Sequence, residues 1–185
     1  MTILISGACG FMGREVAAQA KSSGIDVVCG VDIAAEVAPY QPDFPLYANY
    51  ADAPKADVVI DFSHHSSIAD VLAYAKEIGA AAVIGTTGHT TEEKQMIFDA
   101  AREIPVFYSG NMSLGIALLC QLTRQTVALF PEADVEIVEV HHNRKVDAPS
   151  GTARMLFEAV KEARPQAVEH DGRSGECKRE KNEVG

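Results

Sequence analysis

The residues best suited to chemistry lie in one short run, His141-His142-Asn143-Arg144-Lys145, four of whose five members can carry positive charge. Histidine gives or takes a proton near neutral pH, whereas lysine stays a fixed cation unless desolvated. Just beyond, Ser150-Gly151-Thr152 offers hydroxyls and backbone N–H groups at an expected helix start. Unpaired N–H groups and the positive dipole end suit a carboxylate there. Together these segments could hold an anionic substrate and supply it with a proton. The plainer alternative is a solvated loop with idle histidines, in which Ser150 only caps a helix. The density of cations beside Ser-Gly-Thr favours the chemical reading.

The background makes this run stand out. The 185-residue chain carries a formal charge of −10, which argues against nucleic acid, because a phosphate backbone needs a clustered positive surface. An acidic protein that binds an anion must build a local positive pocket. An apolar share of 47% and a charged share of 23% are those of an ordinary soluble domain. Cys9, Cys29, Cys120 and Cys177 form no C-x-x-C pair, so neither a metal site nor a disulfide framework is expected, and a reducing cytoplasm suits them. Met1 leads into Thr2-Ile3-Leu4-Ile5 without a basic segment, unlike a signal peptide. No apolar run approaches the ~20 residues that cross a bilayer.

A second candidate site opens the chain. Gly7-Ala8-Cys9-Gly10-Phe11-Met12-Gly13 follows a short apolar run and precedes a helical pattern. Glycines there permit a tight turn, close approach of backbone to a pyrophosphate, and packing of helix on strand. The spacing is G-x-x-G-x-x-G, and a glycine triplet alone is weak evidence. Asp32, at the end of the next strand, stands where an acid would accept hydrogen bonds from an adenine ribose. The combination predicts a nicotinamide dinucleotide. Ile33 rather than Arg follows Asp32, which favours NADH over NADPH, although Arg14 lies near in sequence.

These sites need a frame. Runs at residues 3–5, 27–32, 57–62, 81–84 and 105–108 read as strands, separated by helical stretches at 12–21, from Ser67 to Gly79, and from Thr90 to about Glu103. Ser67 with Asp70, and Thr90 with Glu93, have capping-box spacing. The segment holding Pro39, Pro42, Pro45 and Pro54 reads as loose. Strands alternating with helices predict an α/β fold with a Rossmann-like, doubly wound parallel sheet. The pattern then changes to a long apolar helix over 114–130, a strand over 134–140 with Val135 and Ile137 on one face, a helix over 151–163 and a polar tail. Residues 1–113 are therefore expected to form the dinucleotide-binding domain, and residues 114–185 part of an α+β substrate-binding domain.

The stretch Glu139 to Ala153, EVHHNRKVDAPSGTA, resembles the signature of the bacterial dihydrodipicolinate (4-hydroxy-tetrahydrodipicolinate) reductases of lysine and diaminopimelate biosynthesis. Gly7 to Gly13, Gly85-Thr86-Thr87-Gly88 and Ser109-Gly110-Asn111-Met112-Ser113 resemble further segments of that family in the same order. The resemblance implies that Gly7 to Met12 wrap the pyrophosphate and Asp32 the ribose. It further implies that Gly85, Thr86 and Thr87, with Ser109 to Met112, line the nicotinamide end. His141 would be the general acid/base and His142 a substrate ligand. Lys145 would donate a proton or hold a carboxylate, and Gly151 and Thr152, beside Ser150, would grip one. The implied reaction is NAD(P)H-dependent reduction of a cyclic imine dicarboxylate in the cytoplasm.

Family chains continue past the region of Glu183-Val184-Gly185, so a C-terminal truncation is expected, with the family's homotetramer in question for this chain. No nucleic-acid or membrane partner is expected. Two alternatives stand beside the reductase: another NAD(P)-linked reductase of a small amino-acid-like acid, and a catalytically silent dinucleotide-binding fragment. His64-His65 reads as a partly exposed loop pair with no role assigned.

Overall fold

Period-two alternation sorts the first strand into two layers. In β1 (Thr2–Ser6), Leu4 faces one side of the sheet, and Ile3 and Ile5 face the other; all three are buried. The computed structural model describes residues 1–143, 145, 148–172 and 181–185. Arg144, Val146 and Asp147 of the cationic motif, and Ser174, Gly175 and Cys177 of the polar tail, lie outside the described residues. Contacts divide the chain into two compact units, Met1–Gly110 and Asn111–Gly185.

The first unit builds outward from β1. It adds α1 (Phe11–Ser22), β2 (Asp26–Val31), β3 (Leu46–Tyr47), β4 (Val58–Asp61), α2 (Ile68–Ile78), β5 (Ala81–Ile84), α3 (Thr91–Ala100) and β6 (Val106–Tyr108). The six strands are parallel in the order β3-β2-β1-β4-β5-β6. Leu4, Val59, Ala82 and Ile84 pack with Ile68, Val71 and Leu72 of α2 and Ile97 of α3. Ile3 and Ile5 pack with Ala17 and Ala20 of α1. Burying a side chain of this size stabilises by about 1.5–3 kcal/mol, and coverage of both faces explains why the strands read as continuous apolar runs. The order reverses direction between β1 and β4, and ligands of open α/β sheets bind at the carboxyl ends of the strands at such a point. The doubly wound parallel sheet expected from the alternation is therefore present.

Two local expectations need correcting. The loose proline-bearing segment contains β3, whose two residues pair with Gly30 and Val31; two residues are too few to show a period. Thr90 and Glu93 form the capping box that their spacing predicts, but Ser67 and Asp70 do not. Ser67 already has helical dihedrals and makes no side-chain cap bond. A 3-10 turn, His65–Ser67, precedes α2, and its own cap is the His64 side chain, which accepts from the Ser66 N–H. Ser67 still directly precedes the helix, but the turn gives it helical dihedrals, so its hydroxyl makes no cap bond.

The second unit contains α4 (Leu114–Leu129), α5 (Gly151–Ala163), β7 (Val168–Glu169) and β8 (Glu183–Val184). Val127, Phe157, Val160, Ala167 and Val184 make its core. The expected strand over 134–140 is reduced to one bridge, Val135 to Val184, with further bonds from Ile137 N–H to Gly185 (2.6 Å) and from Gly185 N–H to Val135 (3.3 Å). Val135 and Ile137 do share the core-facing side. Val138 and Val140 are exposed. No helix among the described residues is long and apolar enough to cross a membrane.

The contrast between the two caps is measurable. Thr90→Ala removes a bonded cap and is expected to lower unfolding free energy by about 1 kcal/mol, whereas Ser67→Ala changes it by a few tenths at most. Urea unfolding of both variants checks this, and equal losses would contradict the assigned caps.

Candidate active site

Steric room, more than side-chain chemistry, shapes the loop after β1. Gly7 has φ +77°, and a Cβ there would lie 2.4 Å from the Phe62 carbonyl oxygen. A Cβ on Gly13 would lie 2.2 Å from the Gly7 carbonyl oxygen, so α1 rests directly on the turn. The turn is tied by Gly7 N–H to Val31 (2.8 Å) and Gly10 N–H to Gly7 (3.1 Å). Ala8 is buried, whereas Phe11 and Met12 are exposed. Helix α1 has no side-chain cap and no acid in its first turn, which leaves its N–H groups and positive dipole end available to an anion. Asp32 accepts from Cys9 N–H and Ala34 N–H, each at 2.9 Å, one on each oxygen. Each oxygen keeps a further lone pair for a ligand hydroxyl. Arg14 donates from Nε to the Cys9 carbonyl (3.0 Å) and stacks on Tyr40 at 4.7 Å. Burial, with Asp32 nearby, pushes the Cys9 thiol pKa up.

The loop after β5 lies against the same strand end. Gly85 N–H donates to the Asp61 carbonyl (2.9 Å), and a Cβ on Gly85 would lie 2.3 Å from the Phe62 ring. Thr86 is buried and donates through Oγ1 to Asp61 Oδ2 (2.5 Å). Thr87 is exposed, and Gly110 lies beside it, 3.4 Å separating the Thr87 methyl from the place of a Gly110 Cβ. Ser109 N–H donates to Ile84 (3.1 Å). Sequence reasoning assigned nothing to Asp61, because it ends an otherwise apolar strand. That position was itself the signal: an acid in a strand covered on both faces must find donors, and Ser63 and Thr86 follow strand ends nearby.

The histidines at 64 and 65 have local partners. Their rings meet tilted, with centroids 4.3 Å apart, and His65 Nδ1 bonds Glu93 at 2.9 Å. His89 is buried against Tyr108, edge to face at 5.5 Å, and burial lowers its pKa. No group of three or more potential metal ligands occurs among the described residues.

In the second unit, Glu139 organises the start of α5. It accepts from Ser150 N–H (2.9 Å) and from the Ser150 hydroxyl, and it pairs with His141 Nε2 at 2.8 Å. Ser150 Oγ in turn accepts from Ala153 N–H (3.0 Å) and so caps α5. Gly151 and Thr152 form the half-buried first positions of that helix, with no acid in its first turn. Asn111 Nδ2 donates to Thr152 Oγ1 (2.9 Å), joining a residue expected at the nicotinamide wall to one expected at the substrate carboxylate. Met112 beside it is exposed. Lys145 N–H closes a turn on the His142 carbonyl (3.2 Å); Lys145 is half-buried and His142 exposed. Glu139, named only as the start of a motif, is the residue whose structural part was missed.

Comparison with known proteins decides the family. The profile described as "Dihydrodipicolinate reductase, N-terminus" matches residues 1–112, and "Dihydrodipicolinate reductase, C-terminus" matches residues 115–185. The chain belongs to the dihydrodipicolinate reductase family. The 4-hydroxy-tetrahydrodipicolinate reductase of Clostridium tetani is 39% identical over 99% of this chain and 72% of its own. That of Alkaliphilus oremlandii is 43% identical over 100% and 73%. The dipicolinate-bound dihydrodipicolinate reductase of Paenisporosarcina sp. TG-14 superposes with a TM-score of 0.68, at 27% identity, covering 96% of this chain and 72% of its own. As a Rossmann-type reductase of this family the chain takes a nicotinamide dinucleotide, NAD(P)H. The glycine turn that any Cβ would fill and the uncapped α1 terminus fit that cofactor.

His141, and then Ser150, hold the Glu139 carboxyl at about 2, below its ordinary 4.5. A depressed folded-state pKa contributes stability above pH 4.5 that is lost as pH falls towards 2. Glu139→Gln lacks that contribution. The wild type is therefore expected to lose stability more steeply than the variant between pH 5 and pH 3, measured as urea midpoints. Parallel slopes would show that these contacts do not form.

Proposed function

We propose that the chain reduces 4-hydroxy-tetrahydrodipicolinate, or the dihydrodipicolinate formed from it by loss of water, to tetrahydrodipicolinate. This is a step of lysine and diaminopimelate biosynthesis. The observation that carries the reading is the His141–Glu139–Ser150 arrangement at the start of α5, in a chain similar along its whole length to reductases of that name. The substrate is a cyclic conjugated imine with two carboxylates. Gly151 and Thr152 N–H groups, with the Thr152 hydroxyl, hold one carboxylate, and Lys145 and His142 supply positive charge for the other. The reduced nicotinamide supplies a hydride to the ring.

Glu139 keeps its charge well below neutral pH, so it accepts from His141 Nε2–H. Nδ1 is then the nitrogen that delivers a proton to the ring carbon of the resulting enamine. The cations act most strongly where negative charge develops, stabilising the transition state beyond holding the dianion. Gly7, Ala8, Cys9, Gly10, Phe11 and Met12 supply backbone to the pyrophosphate, and Asp32 accepts from the ribose. Gly85, Thr86 and Thr87, with Ser109, Gly110, Asn111 and Met112, border the nicotinamide. NADH is preferred to NADPH, because Asp32 repels a 2′-phosphate and exposed Ile33 offers it no cation.

Oxidation of NADH and NADPH, followed with enzymatically generated substrate, tests these roles. His141→Gln is expected to lower kcat by about 10²–10⁴ while NADH fluorescence titration stays unchanged. Undiminished turnover would remove His141 from the acid role, and a higher kcat/KM with NADPH would reverse the cofactor preference.

A further inference from the structure

The first unit buries a charge that the reaction above does not use. Asp61, at the end of β4, is 1% exposed. Its Oδ1 accepts from Ser6 Oγ (2.6 Å), Ser63 Oγ (2.5 Å) and Ser63 N–H (3.3 Å), and its Oδ2 from Thr86 Oγ1 (2.5 Å). Tyr50 donates to Ser6 Oγ at 2.8 Å. Burial raises the Tyr50 phenol pKa, so it stays a donor and orients the Ser6 proton towards the carboxylate. All these partners donate and none accepts, the pattern that suits an ionised acid. No Lys, Arg or His ion-pairs with Asp61 among the described residues. Buried His89, its pKa lowered by desolvation, is not a counter-ion at neutral pH. Hydroxyl dipoles hold the charge without cancelling it, and in a low-dielectric interior it is felt strongly by whatever binds above.

Asp61 reaches both ends of the expected cofactor site. Ser6 is the last residue of β1, directly before Gly7, and Thr86 belongs to the loop assigned to the nicotinamide. Resting on that assignment, we propose that Asp61 is a fixed buried anion that favours the oxidised, cationic nicotinamide over the reduced, neutral one. It acts through Thr86, which it positions, and through its field. As the hydride departs with its electron pair, the ring left behind gains positive charge, and a fixed negative charge beneath stabilises that development. The same interaction tightens binding of the oxidised product relative to the reduced reactant. The hydroxyl cage thus does two things: it supplies the buried carboxylate with donors, and it holds the Gly85–Thr87 loop in register with the turn after β1.

Binding, independent of turnover, tests this. Dissociation constants are measured for NADH, NAD⁺ and ADP-ribose, which lacks the nicotinamide. Asp61→Asn is expected to weaken NAD⁺ relative to NADH by roughly tenfold and to leave ADP-ribose near its wild-type value. Ser63→Ala, which keeps the charge but removes one donor, is expected to lower Tm without moving the NAD⁺/NADH ratio. An unchanged ratio in a folded Asp61→Asn protein would overturn the proposal, as would an ADP-ribose loss as large as that for NAD⁺. Should that variant not fold, the wild type decides alone: it must bind NAD⁺ roughly tenfold more tightly than benzamide adenine dinucleotide, its uncharged isostere, and equal affinities would overturn the proposal. A wild type that binds NADH no better than ADP-ribose, with no change in dihydronicotinamide fluorescence, would instead remove the underlying assignment of the nicotinamide to this loop.

Discussion

Close backbone approach at the carboxyl end of the sheet is the constraint on which the first unit depends. Gly7, Gly13 and Phe62 meet at distances that leave no room for a Cβ on either glycine. That contact seats α1 on the turn, aims its free N–H groups, and packs the end of β1 against the end of β4. A side chain at Gly7 or Gly13 would have to push the helix away from the sheet, and both the buried layer beneath α1 and the placing of its free N–H groups would go with it. Core packing and the exposure of the α1 terminus, where the pyrophosphate is proposed to bind, are therefore one geometric requirement.

The second unit solves a related problem with charge. Helix α5 needs its first N–H groups satisfied, and Ser150 does this for Ala153 while being held by Glu139. The same carboxylate orients His141. One acid thus sets the start of a helix and the orientation of an imidazole, so helix geometry and the placing of the proposed proton donor share a single anchor. The apolar surface of α4 behaves differently: Leu114, Leu118, Leu119, Leu122 and Leu129 are exposed, and Val127 is the buried member of that helix.

Much of this was legible in the amino-acid order, and the gaps have physical causes. The parallel sheet was readable because strands buried on both faces are apolar throughout, and the glycine turn because only glycine tolerates such contacts. Thr90 and Glu93 act within one turn, so their spacing was enough. Ser67 failed because a 3-10 turn, which leaves no periodic trace, came first. The segment over 134–140 keeps its core-facing Val135 and Ile137 but only one bridge, because alternation reports a buried face and says nothing about pairing. Asp61 escapes a linear reading because its meaning depends on Ser6 and Thr86, residues distant in sequence that the sheet brings to it, beside its neighbour Ser63. His141 and Ser150 stand out by their types; Glu139, which connects them, is an ordinary acid until its three bonds are seen.

Phe62 touches both loops at once, its carbonyl oxygen against Gly7 and its ring against Gly85. It therefore works as a spacer of fixed thickness between the segments assigned to the two ends of the dinucleotide. The Gly7 contact is with the main chain of residue 62 and holds whatever side chain stands there, whereas the Gly85 contact is with the ring. In lineages of this family the size of Phe62 and the smallness of Gly85 should therefore be inherited as a pair. Mutational tolerance here is accordingly a joint property of those two sites, while Gly7, with its positive φ and main-chain neighbours, stays constrained whatever they become.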